Sequence, residues 1–376
     1  MTIDEKYILS QLSIIVRKDG MSDDDMRTAP PYKEPPMTFY EFLSKFPTEE
    51  AAVNHFIKVA YDGILTCPHC GSKTRIYRYR QIMKLCNCKN CLNSFSPFKN
   101  TIFEKSTTDL RKWFFAIRLF LNDRKGISSL NLHREIGVTQ KTAWNILQKI
   151  RLVMDEKDME LFDSVVEVDE TYVGGKPRYT HPPKGVDLSL LDSSEGYSMA
   201  DSIEYIPTES SKLRYGRGTE KIPIFGIKQR DSGKVYAQIM LPDEAGKELT
   251  SKQLLAVIEK RCKEGITIMT DDFSSYKALD KPDYTKVLDG LEPTPRYDHK
   301  TVCHSSRVYV APGGVHTNGI ESFWALFKRC YHGTYHYMSV KYMQRYLNEV
   351  CFRQNTRKLP SLDAFDLLLK RCVLKK

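Results

Sequence analysis

The stretch CPHCGSKTRIYRYRQIMKLCNCKNC, residues 67–91, constrains the fold of this chain more than any other. Cys67-x2-Cys70 and Cys88-x2-Cys91 are separated by seventeen residues of alternating basic and apolar character. Each pair offers two thiolates from one turn, and a hairpin between the pairs brings them together, which suits tetrahedral Zn2+. Metal binding then supplies folding free energy that so small a core lacks. Cys86 is a fifth cysteine and could replace Cys88, although Cys86-x4-Cys91 makes a poorer pair; His69 is expected to point away from the metal. Five of the ten cysteines fall in this stretch while Cys262, Cys303, Cys330, Cys351 and Cys372 are scattered. That clustering favours a metal site over the disulfide framework of a secreted chain. Arg78 and Arg80, in KTRIYRYR, keep contact with DNA open as a second role for the same segment.

The charge is uneven. Of a net +10, residues 67–154 carry 17 Lys and Arg against 4 Asp and Glu, leaving the remainder slightly acidic. A basic segment on a near-neutral body suits a polyanion partner, because neutralised phosphates release counterions; a solubilising charged surface is the alternative. No run approaches the roughly 20 apolar residues of a membrane span, and the N-terminus lacks the basic lead and cleavage site of a secretory signal. An intracellular protein is expected, cytoplasmic or in a bacterial nucleoid, with no membrane partner.

A chain of 376 residues, 41% hydrophobic, suggests two or three domains. Residues 1–37 end in the polar, proline-rich RTAPPYKEPP and read as a leader. A small helical segment follows at 38–62, with a helix start at Thr48 behind Pro47; the ribbon takes 63–100. In the helical stretch 101–160, STTDLRKWFFAIRLFLND predicts a buried amphipathic helix capped near Ser106 or Thr107. GISSLNLHREIGVTQKTAWNILQKIRLVM predicts helix, turn at 136–138 and a second helix from Thr139, a helix-turn-helix. Near the start of its second helix stand Gln140, Lys141 and Asn145, residue types that reach base edges and phosphates in a major groove; a plain helical hairpin is the alternative. From 161 to 355 the pattern is strand, hairpin turning at 231–233, helix, strand and helix, giving a mixed sheet flanked by helices. A polar excursion interrupts it at about 180–215, and 356–376 reads as a C-terminal helix.

Carboxylates mark the strand ends. Asp169 closes an apolar run, Glu167 shares its face by alternation, and Asp271 follows ITIM with Asp272 beside it. In HTNGIESFWALFK, residues 316–328, Ile320, Phe323, Trp324 and Phe327 form one helical face while Asn318, Glu321 and Lys328 collect on the opposite edge. Asp169, Asp271 and Glu321 converge if the sheet collects its strand ends at one site. Three such oxygens would hold Mg2+ or Mn2+ and support in-line displacement at phosphorus. The competing reading is that acidic residues are common in turns.

VEVDETYVGG, TDDFSSY, HKTVCHS, HTNGIESFWALFKR and GTYHYMSVKYMQRYLNEVCFRQN, in this order, resemble the successive blocks of insertion-sequence transposases with an N-terminal zinc ribbon, the ISXO2-like group related to eukaryotic Merlin elements. The resemblance runs from about 38 to 355. It implies an α/β fold with a ribonuclease-H-like mixed-sheet catalytic core behind the zinc ribbon and helix-turn-helix. It also implies an Asp-Asp-Glu triad of Asp169, Asp271 and Glu321 holding the catalytic Mg2+ or Mn2+, with Asn318 as an alternative third member, and structural Zn2+ on Cys67, Cys70, Cys88 and Cys91. A basic residue two turns past the glutamate falls on Lys328, followed by Arg329, both expected at DNA. His304 and His316 lie in family blocks without a derivable role. The implied partners are double-stranded DNA, as terminal inverted repeats and target, and further copies of the chain in a dimer or larger synaptic assembly. A transposase-derived DNA-binding regulator and a structure-selective nuclease are the alternatives. TDDF departs from relatives, which usually carry glutamate and tryptophan where Asp272 and Phe273 stand, but no expected ligand is changed.

Overall fold

The computed structural model describes residues 36–79, 85–156, 158–174, 221–243, 246, 249–284, 292–303 and 310–374. Arg80, His304, the excursion at 180–215 and most of the leader lie outside the described residues.

The segment expected to be helical at 38–62 is two helices, α1 (Phe39–Lys45) and α2 (Glu49–Tyr61). Thr38 and Glu41 cap α1 reciprocally, each side chain accepting the other's backbone N–H, and the Thr48 hydroxyl accepts the Ala51 N–H to start α2. The ribbon follows as β1 (Ile76–Arg78), β2 (Cys86–Cys88) and β3 (Ser94–Phe95), antiparallel in that order. Next comes α3 (Leu110–Asn122), whose cap is Asp109 rather than Ser106 or Thr107: its carboxylate accepts the Arg111 N–H, while the Ser106 hydroxyl accepts the Trp113 indole N–H at 2.9 Å. Then α4 (Ser129–Ile136) and α5 (Gln140–Leu152) are joined through Gly137, at φ +61°, a left-handed turn that a side chain would strain.

A mixed five-stranded sheet occupies the second half: β4 (Val166–Val173), β5 (Ile222–Gln229), β6 (Val235–Ile239), β7 (Thr267–Asp271) and β8 (Asp298–Val302). Its order is β6-β5-β4-β7-β8, with β4, β5 and β6 an antiparallel meander and β7 and β8 parallel to β4. Alternation splits β4, β5 and β6 between two cores. Val166, Val168, Phe225 and Ile227 face α6 (Ser251–Arg261), which buries Leu254 and Ile258 against them. Val173, Ile224 and Ala237 face α7 (Asn318–Cys330) and α8 (Val340–Thr356). The edge strand β8, DHKTV, was not legible because it is polar and mostly exposed, as suits an edge that must not recruit another chain.

The last helix, α9 (Ser361–Arg371), lies within the stretch expected to be a C-terminal helix, 356–376. Its Phe365, Leu368 and Leu369 are buried in the same core as Phe46 and Phe56 near the N-terminus and Phe114 of α3. His55 Nε2 stands 2.7 Å from Asp366 Oδ1 across that junction. No helix among the described residues is long and apolar enough to cross a membrane.

Candidate active site and zinc ribbon

In the ribbon, the β1–β2 hairpin brings the two cysteine pairs together. Cys67 Sγ lies 3.7 Å from Cys91 Sγ, and Cys70 Sγ lies 3.7 Å from Cys88 Sγ. All four sulfurs fall within 4.8 Å of one another. A tetrahedral site with Zn–S bonds of about 2.3 Å has sulfur–sulfur edges of about 3.8 Å, so the set matches Zn2+ with little adjustment. Cys86 is outside this group: it is wholly buried in the ribbon's small core, and burial pushes its thiol up to about 11. His69 is exposed and likewise outside the group.

The carboxylates gather on the sheet face covered by α7. Parallel pairing sets Glu167 of β4 opposite Met269 of β7. Carried two residues further, that register sets Asp169 beside Asp271, both on the α7 face. Glu321 enters from the first turn of α7, where the Thr317 hydroxyl donates to its Oε1 at 2.9 Å. Asp271 Oδ1 accepts the Phe273 N–H at 3.1 Å, which orients that carboxylate. Burial raises the Asp169 pKa well above the ordinary carboxylate range, and the charges of Glu170, Asp271 and Glu321 raise it further. Such mutual repulsion is what a divalent cation would relieve. The three carboxylates are spaced more widely than the thiolates and do not form a set within 4.8 Å. Asn318 is exposed at the first residue of the same helix, one turn before Glu321.

Two devices seat α7. Asp169 pairs across the ladder with Gly226 of β5, and a Cβ on Gly226 would lie 2.6 Å from the Trp324 ring. The missing side chain lets Trp324 lie directly on the sheet. At the helix N-terminus, Glu167, only 2% exposed, accepts the Ile320 N–H at 2.9 Å and the Arg230 Nε–H at 2.8 Å. Arg230 also donates to the carbonyls of Gly314 and His316, and Lys228 donates to the Gly319 carbonyl at 2.6 Å. His316 stands against the same clamp, its Nδ1 3.4 Å from Glu167 Oε1. Sequence reasoning placed Glu167 on the right face but missed this role. The signal was available: a glutamate within an apolar strand needs a buried cation or helix end to satisfy it.

The residues expected at DNA are scattered over three surfaces. Lys328 and Arg329 are exposed at the far end of α7, about 10 Å of helix beyond Glu321. There Lys328 joins Lys221, His332, Tyr172 and Tyr331 around a cavity of about 220 Å³ at the end of β4. On α5, Lys141 and Asn145 are exposed, while the Gln140 amide is engaged with the Ser129 hydroxyl at 2.9 Å. Arg78 in the ribbon reaches Glu50 of α2 at 3.4 Å.

Residues 47–94 match the transposase zinc-ribbon domain, and residues 203–355 match the ISXO2-like transposase domain. The first match contains all four clustered thiolates; the second contains Asp271 and Glu321, with Asp169 ahead of it. A protein of Halobacterium salinarum, described as an uncharacterized protein in transposable element ISH50, is 27% identical over 332 residues, 87% of this chain and 98% of the relative. Solved structures of the Mos1 pre-cleavage transpososome and the Mos1 strand transfer complex are each 14% identical to this chain. They align with 69% and 70% of it and 78% of their own chains, at TM-scores of 0.23 and 0.24. Two stretches of the chain are thus similar to domains of insertion-sequence transposases, residues 47–94 to the transposase zinc-ribbon domain and residues 203–355 to the ISXO2-like transposase domain.

Proposed function

We propose that this chain is a transposase that binds the terminal inverted repeats of its own element and catalyses strand cleavage and strand transfer at Asp169, Asp271 and Glu321. The observation that carries the reading is that Asp169 of β4 lies near enough to Asp271 of the parallel neighbour β7 and to Glu321 of α7 for both charges to raise its pKa. We read the sheet as a ribonuclease-H-like core and α4–α5 as a helix-turn-helix, with Lys141 and Asn145 of α5 facing the bases and backbone of the end sequence. The donor set, three hard oxygens with Asp169 desolvated among like charges, fits Mg2+ or Mn2+. When bound, the metal would supply an activated water or hydroxyl and charge stabilisation at the scissile phosphate.

The chain's own groups do the rest. Glu167, Arg230 and Lys228 fix the N-terminus of α7 and so the height of Glu321 above Asp169. Lys328 and Arg329 hold the DNA backbone beyond the cleaved bond. In cleavage, a water oxygen bonds to phosphorus and the bond to the 3′-oxygen breaks, that oxygen taking up a proton to leave a free 3′-hydroxyl. In transfer, this hydroxyl oxygen bonds to a target phosphorus and displaces the target's 3′-oxygen. Two ends must be handled together, so the working form is at least a dimer. The ribbon is structural, organised by Zn2+ on its four cysteines.

The deciding experiment is Mn2+-dependent cleavage and joining of a plasmid carrying the gene's native flanks, by wild type, Asp169→Ala, Asp271→Ala and Glu321→Ala. Breaks at the flanks with joined products, lost in all three variants, are expected. Cutting without joining would point to a nuclease, and tight binding without cutting by folded, zinc-loaded wild type would point to a regulator; either overturns the proposal.

A further inference from the structure

Helices α5 and α8 lie side by side and parallel, and their contacts keep one sequence offset. Trp144 and Tyr342 pack edge to face with ring centroids 5.1 Å apart. One turn on, the Gln148 amide donates to the Tyr346 hydroxyl at 3.2 Å, and one turn further Arg151 Nε donates to Glu349 at 2.7 Å, each pair 198 residues apart. The last of these is a buried lock. Arg151 is 1% exposed, and Glu349 also accepts from Arg353 and Tyr335. A constant offset over two turns means the N-terminal turns of both helices sit level with each other, in a fixed relation.

Beside the exposed Lys141 and Asn145 of α5, α8 therefore presents its own first turns. Lys341 is exposed and Arg345 half-buried, one helical turn apart on one flank of α8. Both lean on the ring that Trp144 touches: Lys341 Nζ is 5.6 Å and Arg345 Cζ 5.1 Å from the Tyr342 centroid. Stacking on an aromatic face restricts these long side chains without neutralising them. Among the described residues neither has a carboxylate within ion-pair distance.

We propose that Lys341 and Arg345 are phosphate contacts, extending onto the catalytic domain the DNA surface that begins on α5. The inference rests on the reading of α5 as the DNA-facing helix. It adds that one backbone segment spans both helices, so the duplex is gripped by the catalytic domain at the place where α5 engages it. The two cations position the duplex and carry no base preference.

The test is equilibrium binding of the full chain to a labelled duplex of its native flank and to a scrambled duplex, across a salt series. Wild type is compared with K341Q/R345Q, with K141Q/N145A, and with Lys252→Gln on the remote α6 as a control. Each lost phosphate contact lowers the slope of log K against log salt by about 0.9, so K341Q/R345Q should lose about 1.8. Its preference for flank over scramble should be unchanged, and Lys252→Gln should match wild type. A wild-type slope in K341Q/R345Q overturns the proposal. K141Q/N145A should instead reduce the flank preference. If wild type shows no flank preference, the recognition reading of α5 fails, while the slopes on the same duplex still decide whether α8 touches phosphate. Absence of any binding by wild type overturns both.

Discussion

Gly226→Ala tests whether the seat of Trp324 sets the catalytic geometry. The added Cβ would stand 2.6 Å from Trp324 Cη2 and Cζ2, against about 3.5–4.0 Å for comfortable carbon contact. The conflict requires about 1 Å of movement. Trp324 is enclosed among Ile320, Phe323 and Phe327 of its own helix and residues of α8, so α7 is expected to lift with the ring. Overpacking of this kind costs about 1–3 kcal/mol. Glu321 lies three residues before Trp324 and moves with it, and in the catalytic role proposed for it a 1 Å misplacement would lower turnover by about 10²-fold. Urea unfolding followed by circular dichroism would give the stability loss, and Mn2+-dependent nicking of the native flank the activity loss. Trp324→Phe removes the two ring atoms that clash, so Gly226→Ala made in the Trp324→Phe background should cost far less than in wild type. That cycle should show a coupling of about 0.5–3 kcal/mol. A Gly226→Ala protein with wild-type stability and nicking, or strictly additive effects in the cycle, would refute the reasoning.

Metal analysis of Cys88→Ser should show loss of the bound zinc and protease sensitivity across 67–95, whereas Cys86→Ser should keep one zinc per chain; equal loss in both would reassign the ligand set. Asp169 has a folded pKa raised above its unfolded value, so its ionised form weakens the metal-free fold. That deficit opens above the unfolded value of about 3.9 and is complete only above the raised folded value. Asp169→Asn should therefore stabilise the protein in magnesium-free buffer at pH 7 to 8, with a gain that shrinks towards pH 4. A gain independent of pH would contradict the assignment. Glu349→Ala strips the carboxylate from the buried Arg151 and from Arg353, and should cost about 3–5 kcal/mol in urea unfolding; under about 1 kcal/mol would mean the guanidiniums find water. Deleting 357–376 removes Phe365, Leu368 and Leu369 from the N-terminal core, at about 1.5–3 kcal/mol each. That sum rivals a whole domain's stability, so the truncated chain should be protease-sensitive throughout its helical module, and a soluble, protease-resistant one would show that α9 is dispensable.

How far the sequence was legible depended on whether the signal was local. Both cysteine pairs, the Thr48 and Thr139 caps, the Gly137 turn and the aromatic face of α7 are written within a few residues, and the fold follows them. The side-by-side placement of Asp169 and Asp271 depends on pairing between strands about a hundred residues apart, which periodicity cannot supply; it gave only the face each would share. The edge strand β8 has no alternation to read, since Val302 is its one buried apolar residue. The docking of α9 was invisible because an amphipathic helix announces that it needs a partner without naming one. Glu167 was misjudged as a mere neighbour of Asp169 because its partners, Arg230 and the Ile320 N–H, come from two other elements.

The way α9 and α8 return to the N-terminal helices bears on how recognition and cleavage could be coordinated. A helix pair tethered by a flexible linker would let the DNA-facing surface and the carboxylates vary in distance, and the position of the cut would be set elsewhere. Here Phe352 of α8 and Phe365 of α9 are buried in the helical core, and Arg151 closes on Glu349 at 2.7 Å. The same α8 packs through Met343, Leu347 and Val350 with Ile320 and Trp324 of the helix that carries Glu321. Displacing α5 relative to Glu321 would thus require opening an ion pair with almost no solvent access and two apolar cores at once. Under the proposed function, the number of base pairs between the recognised sequence and the cut is a property of this packing. Insertions that shift the end sequence by one or two pairs from the cut would then be resisted by the whole chain, whereas a mobile reading module would tolerate them.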